Sequence, residues 1–155
     1  MTTIASLMAT DLVTAAAEEP VSAVAKRMAS SRVGAVLVVE RGRLVGLVSE
    51  RDLLMRVVAN DCDPDTTGIG DIETHDLVTL DVKQSLKDAL QVFRSRRFRH
   101  LPVLDNGKPV GILSTTDLHS YLVDEFERFV GDLKYRTSLA DGIDPYDHFG
   151  GQYGR

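Results

Sequence analysis

Tryptophan is absent from this 155-residue chain, and cysteine occurs once, at Cys62. A single thiol closes no internal disulfide and builds no cysteine-rich metal centre. Aromatic residues make up only 6% of the chain, so aliphatic side chains must supply the core. Positive charge is not in excess either: 18 Lys and Arg stand against 23 Asp and Glu, a formal net charge of -5. Duplex nucleic-acid binders need concentrated base to displace phosphate counterions, so nucleic acid is not an expected partner. The longest apolar runs, such as residues 35–39, are strand-sized and fall far short of the roughly 20 residues that span a bilayer. The start, MTTIASLMATDL, has neither a basic opening nor a long apolar stretch, so no signal peptide is read there. The expectation is a cytoplasmic protein with no membrane partner.

What the chain does have is a repeat. Shifted by 65 positions, residues 4–58 lie on residues 69–123 without a gap, and 15 of the 55 pairs are identical. Asp11-Leu12-Val13-Thr14 falls on Asp76-Leu77-Val78-Thr79, and Val45-Gly46 falls on Val110-Gly111. Ser49 falls on Ser114, and Asp52-Leu53 on Asp117-Leu118. Similarity that survives so long without an insertion marks a duplication.

Each copy reads as β-α-β-β-α. A short extended piece, residues 12–14 or 77–79, precedes a helix over about 20–31 or 85–96. Val21, Val24 and Met28 share one face of the first helix; Leu86, Leu90 and Phe93 do so in the second. Two strands follow in each copy, 35–39 with 44–48 and 101–104 with 110–113. The second pair is joined through Asn106-Gly107, both of which accept positive φ in a tight hairpin. A second helix then starts at Glu50 and at Thr115. The expected organisation is one unit over 4–60, a polar linker over 61–68 and a second unit over 69–130. Leu118, Leu122, Phe126, Phe129 and Leu133 recur at helical spacing, so the last helix should extend into 131–155 before a Gly- and Asp-rich, mobile tail. Units this small bury too little surface alone, which favours packing the two about a pseudo-twofold axis. The aliphatic faces at Val24, Met28, Val57 and Leu122 exceed what one compact chain needs to cover, so a homodimer through the helices is expected.

The informative motif is Gly46-x-x-Ser49-x-x-Asp52, repeated as Gly111-x-x-Ser114-x-x-Asp117. Both lie where the last strand enters the second helix. A hydroxyl and an acid at a helix start serve two ends. They can cap the helix reciprocally, or the acid can accept two hydrogen bonds from a vicinal diol such as a ribose. Recurrence behind a glycine, where a ligand can approach the backbone, leaves both readings open.

The ordered set Arg99-His100-Leu101-Pro102-Val103, Gly107-Lys108-Pro109-Val110-Gly111-Ile112 and Ser114-Thr115-Thr116-Asp117-Leu118 resembles the CBS domain, named after cystathionine β-synthase. The resemblance covers about residues 4–130. It implies an α/β (α+β) pair of β-α-β-β-α units whose clefts bind adenine-containing ligands such as AMP, ADP, ATP or S-adenosylmethionine. It also implies that Asp52 and Asp117 take the ribose, that Ser49 and Ser114 supply hydroxyls, and that Thr14 and Thr79 sit on the early strands. Arg99 and His100 occupy positions that often meet phosphate, and the forked Arg donors suit that role. They face Gly34 and Ala35 in the first copy, so the sequence points to unit two, with Asp117, Ser114 or Thr115, Arg99 and His100, as the tighter nucleotide site. Arg96 and Arg97 add to the same basic turn.

No nucleophile with a base, no metal-ligand cluster and no phosphate loop is visible, so an enzyme is not expected and no cofactor is required. The expected function is a regulatory module that takes an adenine nucleotide as ligand and signals to an effector protein not encoded in this chain. The alternatives are a dimeric scaffold without ligand, or a binder of S-adenosylmethionine or NAD.

Overall fold

In the computed structural model, which describes residues 3–96 and 98–140, each copy of the repeat builds a three-stranded sheet. The first holds β1 (Thr14–Ala15), β2 (Ala35–Glu40) and β3 (Arg43–Ser49); the second holds β4 (Leu80–Asp81), β5 (His100–Asp105) and β6 (Lys108–Ser114). In both, the first strand pairs parallel and the last antiparallel with the central one. The hairpins turn at Arg41-Gly42 and Asn106-Gly107, all four at positive φ. Each central strand also carries an irregularity at the same repeat position, Val38/Val39 and Val103/Leu104. The fold class read from sequence is therefore the one observed.

The early strands lie later than expected, at 14–15 and 80–81 rather than 12–14 and 77–79. Proline explains why the second starts later still. In the first copy Leu37 donates its N–H to the Val13 carbonyl. Its counterpart is Pro102, which has no N–H to give Val78, so the second ladder begins one residue further on.

Helix α2 (Val21–Ser31) follows Pro20, which sits at the cap position rather than inside the first turn. Val21, Val24 and Met28 are buried in a core with Val36, Val38, Val48 and Val57. Full burial of a valine contributes roughly 1.5–3 kcal/mol. Val24, Met28 and Val57 are thus core residues and not a spare dimer face, which corrects the sequence expectation for them; Leu122 is half exposed. Helix α4 (Leu86–Arg96) is the counterpart of α2.

The segment after β3 departs from a simple helix. It is α-helical only over Glu50–Asp52 (α3), then widens to a π-turn over Leu53–Val57 and tightens to 3-10 over Val58–Asn60. The adjacent β-branched pair Val57-Val58 crowds a regular turn, and the Asn60 side chain takes the Met55 carbonyl. The matching segment of the second copy runs on as α5 (Thr115–Ala140). Residues up to Asp117 belong to one compact unit, and a second begins at Leu118. The Gly- and Asp-rich tail beyond 140 and Arg97 lie outside the described residues.

The leaders of the two copies are exchanged. Ahead of the first sheet, a short helix α1 (Ile4–Leu7) and Ala9 reach the second copy through bridges from Thr3 to Ser85 and from Ala9 to Ile112. Reciprocally, Ile69 and Ile72 enter the first core, and Thr74 bridges Leu47. The linker is bound rather than loose: Val21 and Ser22 donate their N–H groups to Thr67 and Pro64 carbonyls, at 2.9 Å each.

Within this exchange Met8 and Glu73 occupy equivalent places over Gly111 and Gly46. A Cβ on Gly46 would stand 1.9 Å from Glu73 Oε2, and one on Gly111 2.3 Å from Met8 Sδ. These glycines are there for close approach. Glu73 is buried, and its Oε2 has no hydrogen-bond partner. Burial pushes its carboxyl above the ordinary range; His75, with Nδ1 3.7 Å from Oε1, pulls it back in part and Glu40 adds to the rise. A native state that keeps this proton to higher pH than the unfolded chain loses stability as pH rises through that window. An unsatisfied buried polar atom costs about 1–3 kcal/mol. Glu73→Met, which installs the residue of the other copy, should therefore raise stability at pH 7 by about 1–2 kcal/mol. The gain should shrink as pH falls through the raised native range of Glu73 toward the ordinary carboxylate pKa of about 4.3, and level off below it. Urea melts of both proteins across pH 4–8 check this, and a gain independent of pH would contradict it.

Candidate functional site

Both Ser–Asp motifs form the same reciprocal cap. Asp52 Oδ2 accepts from the Ser49 N–H and hydroxyl, each at 2.8 Å, and Ser49 Oγ accepts from the Asp52 N–H at 3.3 Å. Asp117 accepts from Ser114 at 2.7 and 2.6 Å, with the return bond at 3.1 Å. Ser85 and Asp88 build this cap too, at the exposed start of α4 and without a glycine three residues ahead. Capping alone therefore does not distinguish a site. What sets the Asp52 and Asp117 motifs apart is that each opens into a cleft, with one carboxylate oxygen not committed to the cap.

The first cleft, enclosing about 160 Å³, is lined by Ser49, Arg51 and Asp52 from one copy and by Asp76, Leu77, Val78, Phe98, Arg99 and His100 from the other. The second, about 330 Å³, is lined by Ser114, Thr116 and Asp117 together with Asp11, Leu12, Val13, Val33 and Gly34. Every residue lining the first cleft has its 65-residue counterpart lining the second. The clefts are thus related by the pseudo-twofold axis, and each takes its acid from one copy and its opposite wall from the other. Within each copy an equivalent bond joins the wall of one cleft to the helix start that bears the acid of the other: Glu50 N–H to the Gly34 carbonyl at 2.9 Å and Thr115 N–H to the Arg99 carbonyl at 3.0 Å.

This geometry regroups the residues singled out from sequence. Arg99 lies with Asp52 and Ser49, not with Asp117 and Ser114. His100 lines both clefts, and its Nε2 stands 3.2 Å from where a Cβ on Gly34 would be. Thr115 supplies a backbone donor, while its neighbour Thr116 lines the Asp117 cleft. Thr14 and Thr79 line neither cleft; they border separate, more open depressions. Asp11 to Val13 and Asp76 to Val78 were missed as wall residues. The identical tetrapeptide in both copies was the available signal, because four matching residues in a non-helical stretch need a reason beyond packing.

Burial, then the neighbouring Arg99 guanidinium, holds His100 below its ordinary pKa, against the pull of the Glu50, Asp117 and Asp52 carboxylates. A neutral imidazole therefore stands between the clefts at neutral pH. No cluster of three metal-ligating side chains occurs among the described residues, and no described helix is long and apolar enough to cross a membrane.

The CBS domain model matches residues 4–59 and 69–131. The chain belongs to the CBS domain family. It is 31% identical over 118 residues to the CBS domain-containing protein YhcV of Bacillus subtilis, covering 76% of this chain and 84% of that one. Among solved structures it matches the CBS-domain containing protein ATU1752 from Agrobacterium tumefaciens with TM-score 0.71 and 25% identity, covering 77% and 98% of the two chains. The CBS domain pair of protein MJ0100, solved in complex with 5′-methylthioadenosine and S-adenosyl-L-methionine, matches with TM-score 0.72 and 18% identity over 80% and 98%. That last likeness is one of fold. The chain is a CBS pair, with the two repeats as its two domains.

Proposed function

We propose that this CBS pair is a regulatory module that binds an adenine nucleotide in the cleft lined by Asp52 and Arg99 and passes its occupancy to an effector protein. The observation that carries the reading is the meeting, in one cleft, of an acid whose second oxygen, Oδ1, lies outside the cap with only Arg56 Nε at 3.5 Å beside it, and two exposed guanidiniums, Arg51 and Arg99. Asp52 accepts the ribose hydroxyls while Oδ2 keeps its cap. The enclosed 160 Å³ suits a base against Leu77, Val78 and Phe98, and the phosphates extend to the mouth, where the Arg side chains lie. Regulation, rather than catalysis, suits a site with a carboxylate committed to a cap and no nucleophile paired with a base.

The cap does not compete with binding, so the two roles separate by experiment. A charge-assisted hydrogen bond is worth ~1.5–3 kcal/mol, so Asp52→Ala should weaken AMP binding by roughly tenfold to a hundredfold. Asp117→Ala should leave AMP affinity close to wild type. Each variant should lose about 1 kcal/mol of stability without ligand through its cap. Calorimetric titration of AMP and ATP decides: wild-type affinity in Asp52→Ala, with earlier melting, would reduce the motif to a cap.

We infer also that two chains pair through α5. Leu122, Phe126, Phe129 and Leu133 follow each other at spacings of four, three and four on that helix, and are 48–66% exposed. That is the seam spacing of a helix pair. The early part of the stripe is acidic (Asp124, Glu125, Glu127) and its later part is net basic (Arg128, Lys134 and Arg136 against Asp132), with Arg128 paired to Glu125, and the gradient favours an antiparallel second copy. Light scattering should give twice the 17.0 kDa chain mass for wild type and the single mass for Phe126→Glu with Phe129→Glu. A monomeric wild type at micromolar concentration would refute the pairing.

A further inference from the structure

We propose that Arg56 is a positioning residue of the Asp52 cleft, one guanidinium tying the acid of the first copy to the crossing leader that walls the cleft from the second; this rests on the ribose reading of Asp52. Arg56 is not itself part of the cleft lining. It lies one turn after Asp52, with Nε 3.5 Å from Oδ1, the oxygen outside the cap. On its other side Nη1 donates to the Ile72 carbonyl at 2.7 Å and to the Glu73 carbonyl at 3.2 Å. Thr74, Asp76, Leu77 and Val78, the next residues of that leader, line the cleft. Arg56 thus joins the acid and the wall facing it, although they come from different repeats.

The side chain is 44% exposed, so the ion pair with Asp52 is screened and contributes little alone. The stronger arm is the charged donor on two carbonyls of a buried segment, and Asp52 orients the guanidinium toward them. Only a fork of several donors serves a carboxylate and two carbonyls at once. The leader needs such a hold, because it buries the unpartnered Oε2 of Glu73. Arg56 also sits in the π-turn over Leu53–Val57, a distortion frequent at functional sites. Sixty-five residues on, its position is Tyr121 in the α-helix α5, so Asp117 has no cation four residues after it. The clamp is therefore particular to the first cleft. It orders the wall before a ligand arrives and spares the ligand that ordering cost.

Hydrogen exchange on the full chain without ligand tests the clamp, and calorimetric titration of AMP tests its effect on the cleft. The amides of Glu73 and Thr74 are bonded as their counterparts Met8 and Ala9 are, which makes the first leader an internal reference. Arg56→Gln should lower protection at Glu73 and Thr74 by about tenfold, leave Met8 and Ala9 unchanged, and weaken AMP several-fold. Asp52→Asn, which keeps an acceptor for the cap, should lower that protection by about two- to threefold with Arg56 present and not at all in Arg56→Gln. A merely structural arginine would give additive losses. Additive losses, equal loss in both leaders, or wild-type AMP affinity in Arg56→Gln would overturn the clamp and leave the nucleotide reading standing. Failure of AMP to bind wild type would overturn the nucleotide reading, on which the ligand-free exchange does not depend.

Discussion

The constraint on which the rest depends is the exchange of leaders between the two repeats. Ala9 bridges Ile112 and Thr74 bridges Leu47, and Ile69 and Ile72 are built into the first core. Because each leader crosses over, the residues that follow it, 11–13 or 76–78, are delivered to the acid of the opposite copy. The clefts exist because of this crossing, and neither can form from one repeat. The glycines of the motif have the same origin. Gly46 and Gly111 carry no side chain because Glu73 and Met8 of the crossing leaders lie on them.

Duplication first makes two equal sites, and substitution then makes them differ. Symmetry fixes which pairs to compare: Arg99 with Gly34, Arg51 with Thr116, Phe98 with Val33, His100 with Ala35. In all four the larger or charged side chain lines the first cleft and its smaller counterpart the second, so the two clefts differ in both charge and room. Gly34 also leaves the space in which His100 reaches the second cleft, so one imidazole borders both sites. Burial keeps that imidazole neutral near pH 7, and an arriving anion would meet its dipole and no positive charge beyond those of Arg51 and Arg99.

Much of the fold was legible because it rests on local rules. Asn106-Gly107 named its hairpin, the 3.6-residue spacing of Val21, Val24 and Met28 named a buried helix face, and the 65-residue register named the duplication. Less legible were features set by partners distant in sequence. That Pro102 withholds an N–H and delays β4 is a pairing effect. That Val24, Met28 and Val57 are core residues depends on Ile69 and Ile72 arriving from the other copy. The site followed the same division. The Ser–Asp motifs were visible as local spacing, but sequence grouped Arg99 and His100 with Asp117 because they share a repeat. The exchange places Arg99 across from Asp52 instead, and no one-dimensional reading shows a crossing.

The most direct measurement of the account is a crystal structure of the full chain grown with AMP. The nucleotide should lie in the first cleft, its ribose hydroxyls within hydrogen-bond distance of Asp52 and its phosphate against Arg99, two residues from different repeats. Density showing the ribose on Asp117 with the phosphate still on Arg99 would contradict the shared-cleft geometry.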